Sequence, residues 1–278
     1  MILDPKQIDK VVLNALEEDM PYGDVTTDNL ISLEDRSKAR IIAKAEGVLS
    51  GMTVMKRVFE LIDPQVSVEI YSEDGSKVKK GDVVAHVEGR TGSILKGERT
   101  ALNLLQHLSG VATRTNNFAE LVKEYPVSVV DTRKTLPGLR YLEKYAVRCG
   151  GGRNHRFSLS DAVMLKDNHI VAAGGIGPAV AKVRAAIPHT TKIEVETENL
   201  EMVQQALDAK ADIIMLDNMS NEQMTEAVKL VAGRALTEAS GNVTEDRIVE
   251  IAKTGVDIIS IGCITHSVPA MDISLRFY

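Results

Sequence analysis

KIEVETENLEMVQQALDAKADIIMLDN, residues 192–218, decides the fold of this chain. It opens and closes on short β-branched or aliphatic runs, and between them LEMVQQALDAKA carries apolar residues at helical spacing. Strand, helix and strand at such short spacing make a βα unit whose strands lie parallel in one sheet. The alternation extends both ways. Upstream stand VSVVDT (127–132), the helical LRYLEKYAVRC (139–149), DAVMLK (161–166) and PAVAKVRAAI (178–187), with Pro178 suited to a first helical turn. Downstream come NEQMTEAVKLV (221–231), ALTEAS (235–240), TEDRIVEIAKTG (244–255) and DIISIG (257–262). Six strand candidates with no GxGxxG after the first favour a barrel over a dinucleotide-binding sheet. About six βα units fall short of the usual eight, so an open or incomplete parallel α/β barrel is expected over residues 109–267.

The first hundred residues read differently. A helix at IDKVVLNALEED (8–19) precedes a turn-rich MPYGDVTTDNL (20–30). Strand-like pieces KARIIAKAEGVLSG (38–51), VSVEIYS (66–72) and DVVAHVEG (82–89) surround turns at DGSKVKKGD (74–82) and EGRTGS (88–93), with a helix at TVMKRVFELI (53–62). This predicts an α+β sandwich domain over 1–108, possible partner of the terminal MDISLRFY in 268–278. GERTALNLLQHLSGVATRTNNFAELVKEY (97–125) reads as one or two bridging helices. GSKVKKGDVVAHVEG (75–89) resembles half of a lipoyl or biotinyl hairpin, but the carrier lysine with its flanking residues is missing from the tip.

Composition limits the function. The 278 residues are 44% hydrophobic and 26% charged, ordinary for a globular chain. A net charge of -6 argues against a nucleic-acid binder. No apolar run is long enough for a membrane span, and the opening MILDPKQIDK lacks the apolar core of a signal peptide. Two cysteines, Cys149 and Cys263, make neither a disulfide framework nor a zinc site, so a cytoplasmic home is expected. Against the acidic background, residues 131–169 hold eight Lys/Arg and four Asp/Glu. A local cationic field in an acidic protein suggests a small polyanionic ligand.

Barrel chemistry sits at the C-terminal strand ends, and each candidate strand here ends in polar or small residues. These are Thr132, Arg133 and Lys134; Lys166; Glu196; Asp217; Ser240 and Gly241; and Gly262. With strand period two, Lys192, Glu194 and Glu196 share a face, as do Met164 and Lys166, and Met215 and Asp217. Charges on an inward face are costly unless they pair or meet a ligand or metal. CGGGRNHR (149–156) adds a glycine triplet, able to bring backbone amides near an anion, before Arg153, His155 and Arg156. SGN (240–242) and IGC (261–263) follow the last two strands, where barrels often bind phosphate. Cations early, acids in the middle and phosphate-type loops late imply an enzyme acting on a sugar phosphate or diphosphate, with the acceptor left open.

These segments carry a resemblance. EDMPYGDVTTD, KAEGVLSG, GERTALN, LSGVAT, DTRKTLPGLR, CGGGRNHR, LKDNH, EVE, LDN, EASGN and ISIGCITHS, in this order, are similar to quinolinate phosphoribosyltransferases over nearly the whole chain. The resemblance implies phosphoribosyl transfer from 5-phosphoribosyl-1-diphosphate to quinolinate, giving nicotinate mononucleotide, diphosphate and CO2, with Mg²⁺ required. It also implies a homodimer or larger homo-oligomer whose sites are completed by the neighbouring subunit, with Arg99 the residue that crosses over. By the same resemblance Arg133, His155, Arg156 and Lys166 form the quinolinate pocket, and Lys134 lies near quinolinate and the diphosphate; Thr132, at its strand end, is a further substrate-binding candidate. Glu196 and Asp217 are the metal- and ribose-side acids, and Ser240, Gly241, Asn242, Ile261, Gly262 and Cys263 the phosphate loops. Nicotinate phosphoribosyltransferase or a molybdate-linked paralogue is the rival of the same fold, and a cofactor-carrier or ligand-binding module on a catalytically silent barrel the rival of another class. Asp131, Asp167 and His169 are expected to cap or orient neighbours.

Overall fold

The computed structural model describes residues 2–278. The chain begins with α1 (Pro5–Asp19), α2 (Val25–Leu30), β1 (Arg36–Ala43), β2 (Gly47–Val48), α3 (Met52–Ile62), β3 (Ser67–Ile70), β4 (Lys77–Val78), β5 (Val83–Arg90) and α4 (Thr91–Leu121). It continues with β6 (Ser128–Val130), α5 (Arg140–Cys149), β7 (Val163–Leu165), α6 (Asp167–Ala173), α7 (Ile176–Ala186), β8 (Ile193–Thr197), α8 (Leu200–Asp208) and β9 (Ile213–Asp217). It ends with α9 (Asn221–Val231), β10 (Leu236–Ser240), α10 (Ile248–Lys253), β11 (Ile258–Ser260), α11 (Cys263–His266) and β12 (Ile273–Phe277). Two compact units result: residues 1–116, 135–151 and 263–278 form one, and 117–134 with 152–262 the other.

The first unit holds a four-stranded antiparallel sheet ordered β12-β1-β5-β3 and a β2-β4 ribbon. The terminal segment does return: β12 pairs with β1, setting Ile273 opposite Ala43 and Phe277 opposite Ala39. In α1, Asp4 caps the Lys6 N–H, Pro5 opens the first turn, and Ile8, Val12 and Leu16 are buried at helical spacing. Two local expectations change. MPYGDVTTDNL contains α2, because the Asp24 carboxylate accepts the Thr26 and Thr27 N–H groups and so nucleates a helix. EGRTGS is no turn, since β5 runs to Arg90 and α4 starts at Thr91.

The second unit is a six-stranded parallel sheet ordered β6-β11-β10-β9-β8-β7, flanked by helices. All six strands predicted from the sequence are present, one in each expected segment. Among the described residues β6 and β7 do not pair, so the barrel is open between its first and second strands. Arg153 covers the exposed edge of β6 instead. Its N–H donates to Val129 O at 2.8 Å, and its own carbonyl accepts the Asp131 N–H at 3.2 Å.

By compactness the first unit runs on to residue 116, past residue 108. The 31-residue α4 runs unbroken through it. α5 belongs to the first unit although it follows a barrel strand in sequence. Its Tyr145 hydroxyl donates to Asp74 at 2.9 Å, and its buried Glu143 lies 2.8 Å from His107 Nε2. A helix whose polar face is satisfied there stays there.

Candidate active site

A cleft of about 600 Å³ lies at the C-terminal ends of the barrel strands. Thr132, Arg133 and Lys134 reach it just beyond β6, His155 and Arg156 beyond the Arg153 bridge, and Met164 and Lys166 from β7 and the residue that follows it. β8 contributes Glu196, β9 contributes Met215 and Asp217, and β10 ends in Ser240 followed by Gly241 and Asn242. The period-two reading thus holds for Met164 with Lys166, for Met215 with Asp217, and for Glu194 with Glu196. It fails for Lys192, which precedes β8 at the opposite end of the sheet and is exposed.

The loop carrying His155 is fixed from below. Asp131 is fully buried, accepting the Asn154 side-chain amide at 2.7 Å and the His155 N–H at 2.8 Å. His155 Nδ1 accepts the Arg156 N–H at 2.8 Å, which leaves the ring proton of the neutral imidazole on Nε2. Nε2 lies 3.1 Å from Glu194 Oε2 and 3.5 Å from Glu238 Oε1. Burial, reinforced by the Glu194 charge, pushes the Glu238 carboxyl up to about 7. His155, Glu194 and Glu238 offer ligand-type atoms within 4.8 Å of one another. A cation there would have to displace the Nε2 proton, so the arrangement suits a shared proton better.

Nearer the mouth, Lys166 Nζ lies 2.6 Å from Glu196 Oε2. Asp217 Oδ2 accepts the Asn218 side-chain amide at 2.8 Å. Arg156 is pushed below the usual arginine range, first by burial and then by the charge of Arg133. Cations crowded into one cleft favour a polyanionic ligand. At the far side, Gly241 and Asn242 have φ +95 and 47, and a Cβ on Gly241 would meet Asn218 Oδ1 at 2.2 Å. The turn therefore requires glycine.

Several expected residues lie elsewhere. Ile261, Gly262 and Cys263 do not line the cleft; Ile261 is buried and its N–H donates to Val130 O at 2.9 Å. Arg99 is exposed on α4 in the first unit, also outside the lining residues. The glycine triplet lies outside the lining residues. Gly150 N–H donates to Ala146 O at the end of α5, and a Cβ on Gly150 would meet Ala112 O at 2.3 Å, so it serves helix termination and close packing. Asp167 opens α6, and His169 Nδ1 accepts the Lys166 N–H at 3.1 Å, an orienting role. Sequence reasoning did not single out Glu238, Asn218 or Ser260, which line the cleft. The alternation in ALTEAS, with Glu238 and Ser240 on one face, carried the information for Glu238.

Comparison with known proteins bears on this site. The family model "Quinolinate phosphoribosyl transferase, N-terminal domain" matches residues 24–109, and its C-terminal-domain counterpart matches 111–276. The chain belongs to the quinolinate phosphoribosyltransferase family. It is 47% identical over 272 residues to a probable nicotinate-nucleotide pyrophosphorylase [carboxylating] of Synechocystis sp., covering 97% of this chain and 92% of the relative. It is 43% identical to the Bacillus subtilis protein of the same description, covering 97% and 93%. The crystal structure of NadC from Streptococcus pyogenes superimposes with a TM-score of 0.96 at 44% identity, covering 100% and 99%. Family membership, a cation-lined cleft and an open barrel are therefore found in one quinolinate phosphoribosyltransferase chain. No helix among the described residues is long and apolar enough to cross a membrane.

Proposed function

We propose that the cleft binds quinolinate beside 5-phosphoribosyl-1-diphosphate and joins them with loss of diphosphate and CO2, forming nicotinate mononucleotide. One observation carries this reading: Arg133, Lys134, His155, Arg156 and Lys166, from distant parts of the chain, line the same cleft opposite Glu196 and Asp217. Quinolinate has two carboxylates and its partner is already polyanionic, so several cations are needed to hold them together. In this reading Thr132, Arg133, His155, Arg156 and Lys166 grip quinolinate, and Lys134 lies toward the diphosphate. Departure of diphosphate leaves positive charge on the ribose, which Glu196 and Asp217 are placed to stabilise. Ser240, Gly241 and Asn242 take the 5-phosphate, left-handed turns being apt anion cradles. Ile261 contributes packing, since its amide is already committed to β6.

Mg²⁺ fits the acids at the mouth. Glu196 has one oxygen on Lys166 and Asp217 one on Asn218, so each keeps another for a cation that prefers few carboxylates, substrate oxygens and water. Bound there, Mg²⁺ would neutralise charge on the departing diphosphate.

The exposure of Arg99 supports a homo-oligomer in which Arg99 of a neighbouring subunit completes the pocket. Arg99→Ala and Lys166→Ala variants, each inactive alone, should then recover turnover when mixed and allowed to exchange subunits. Cys149 and Cys263 are not disulfide-bonded, in keeping with a reducing, cytoplasmic setting. The deciding experiment is a coupled assay with quinolinate, the ribosyl donor and Mg²⁺, using nicotinate as the comparison acceptor. CO2 release from quinolinate is expected. Turnover of nicotinate alone would favour the nicotinate-using rival.

A further inference from the structure

The floor of the cleft holds two buried carboxyls that substrate gripping does not use. Glu194 and Glu238 are 3% and 1% exposed, and each has its Oε1 buried without a hydrogen-bond partner. They stand on β8 and β10, with β9 and its uncharged Met215 between them. His155 Nε2 lies within 3.5 Å of both carboxyls. Ser260 on β11 hydrogen-bonds Glu238, the His155 charge opposes the rise in its pKa, and Arg133 and Arg156 line the same cleft, Arg156 within reach of the Glu194 charge. Two carboxyls buried this close to one another cannot both ionise cheaply, which favours the protonated form of one of them. Burial and the Glu194 charge put that proton on Glu238 up to about pH 7.

The reaction proposed above needs such a proton. Quinolinate carries a carboxylate on C2, and nicotinate mononucleotide carries hydrogen there. Resting on that reading, we propose that Glu238 is the acid that supplies the C2 hydrogen when the quinolinate nucleotide loses CO2. The bond from C2 to its carboxylate carbon breaks, CO2 leaves, and the electron pair stays on C2 beside the cationic ring nitrogen. C2 then takes the Glu238 carboxyl proton, and Glu238 becomes a carboxylate beside Ser260 and His155. Water reprotonates Glu238 after product leaves. The other candidates serve less well. His155 Nδ1 already accepts the Arg156 N–H and its Nε2 faces Glu194, and Lys166 is paired with Glu196.

Single-turnover quench measurements on the full chain with quinolinate, the ribosyl donor and Mg²⁺ test this. Glu238→Gln keeps the shape and removes the acid. Diphosphate release should persist within a few-fold, while CO2 and product appear about 10²-fold more slowly, the scale of a lost general acid. Quinolinate mononucleotide should accumulate, because unprotonated C2 recaptures CO2, and Glu238→Asp should recover part of the second step. Equal slowing of both steps, meaning that Glu238 merely supports His155, overturns the proposal, as does no slowing at all. Should the variant fail to fold, the wild-type chain in D2O decides: product formation slowed with diphosphate release unchanged supports it, and equal rates in both solvents overturn it. A wild-type chain that releases neither diphosphate nor CO2 from quinolinate sinks the reaction itself, which is a different outcome.

Discussion

Glu194 and Glu196 stand two residues apart on one strand and share a face, yet they live in different chemistry. Glu196, at the mouth, has a half-exposed ammonium 2.6 Å away. Glu194, deeper in, has His155 Nε2 at 3.1 Å, a second buried carboxyl beside it and the Arg156 charge within reach. The separation is only roughly 6.7 Å along the strand. Across that distance the surroundings change from solvent-screened charge pairing, suited to moving ligands, to a dry site where adding charge is costly. Depth in an open barrel thus sorts carboxylates by role.

The largest effect should come from breaking the mouth. Lys166→Ala removes a cation from the cleft and leaves Glu196 without its partner. Truncating one side of a ligand-facing charge pair costs about 2–5 kcal/mol, so kcat/KM for quinolinate should fall by ~10³-fold. The melting temperature should barely move, because the Lys166 side chain is 46% exposed. Steady-state kinetics beside a thermal melt check both halves. Undiminished turnover would remove Lys166 from the pocket.

The floor answers to pH instead. The folded-state value of Glu238, about 7, lies above its ordinary 4.5. The stability this proton contributes is fully present below pH 4.5 and lost as pH rises through about 7. The loss is about 3 kcal/mol at 1.36 kcal/mol per unit. Urea midpoints of the wild-type chain should therefore fall between pH 5 and pH 8, and Glu238→Gln should flatten that slope. Parallel slopes in the two proteins would mean that Glu238 ionises as an ordinary carboxyl does.

The sequence carried the barrel well because its evidence was repetitive: six strand segments with helices between them, each with a polar C-terminal end. It carried the mouth for the same reason, since Arg133, Lys166, Glu196 and Asp217 fall at strand ends. Three things were less legible. The floor depends on Glu238 meeting Glu194 across an intervening strand, a contact between positions 44 apart that periodicity on one strand cannot register. The glycine triplet was ambiguous, because a glycine needed for close approach to a helix and one needed for an anion look alike in sequence. The assignment of α5 depends on Asp74 and His107, residues far upstream that satisfy its polar groups. Local pattern reports a strand and its faces; which distant polar atoms meet is a tertiary fact.

The smallest expected effect is the sharpest check on the contrast. Glu196→Gln breaks the pair with Lys166, but the lysine end of that pair is 46% exposed and screened, and glutamine keeps the glutamate shape, so stability should change by less than about 1 kcal/mol. The same substitution removes a charge from the proposed cation site, so the Mg²⁺ concentration giving half-maximal turnover should rise. Glu238→Gln should do the reverse, changing the pH dependence of folding while leaving the Mg²⁺ requirement untouched. Titrating Mg²⁺ and urea against both variants therefore places each carboxyl by its signature. If Glu196→Gln lowered the urea midpoint as steeply as a buried-group loss would, its role would lie in the fold, and the division between mouth and floor would not stand.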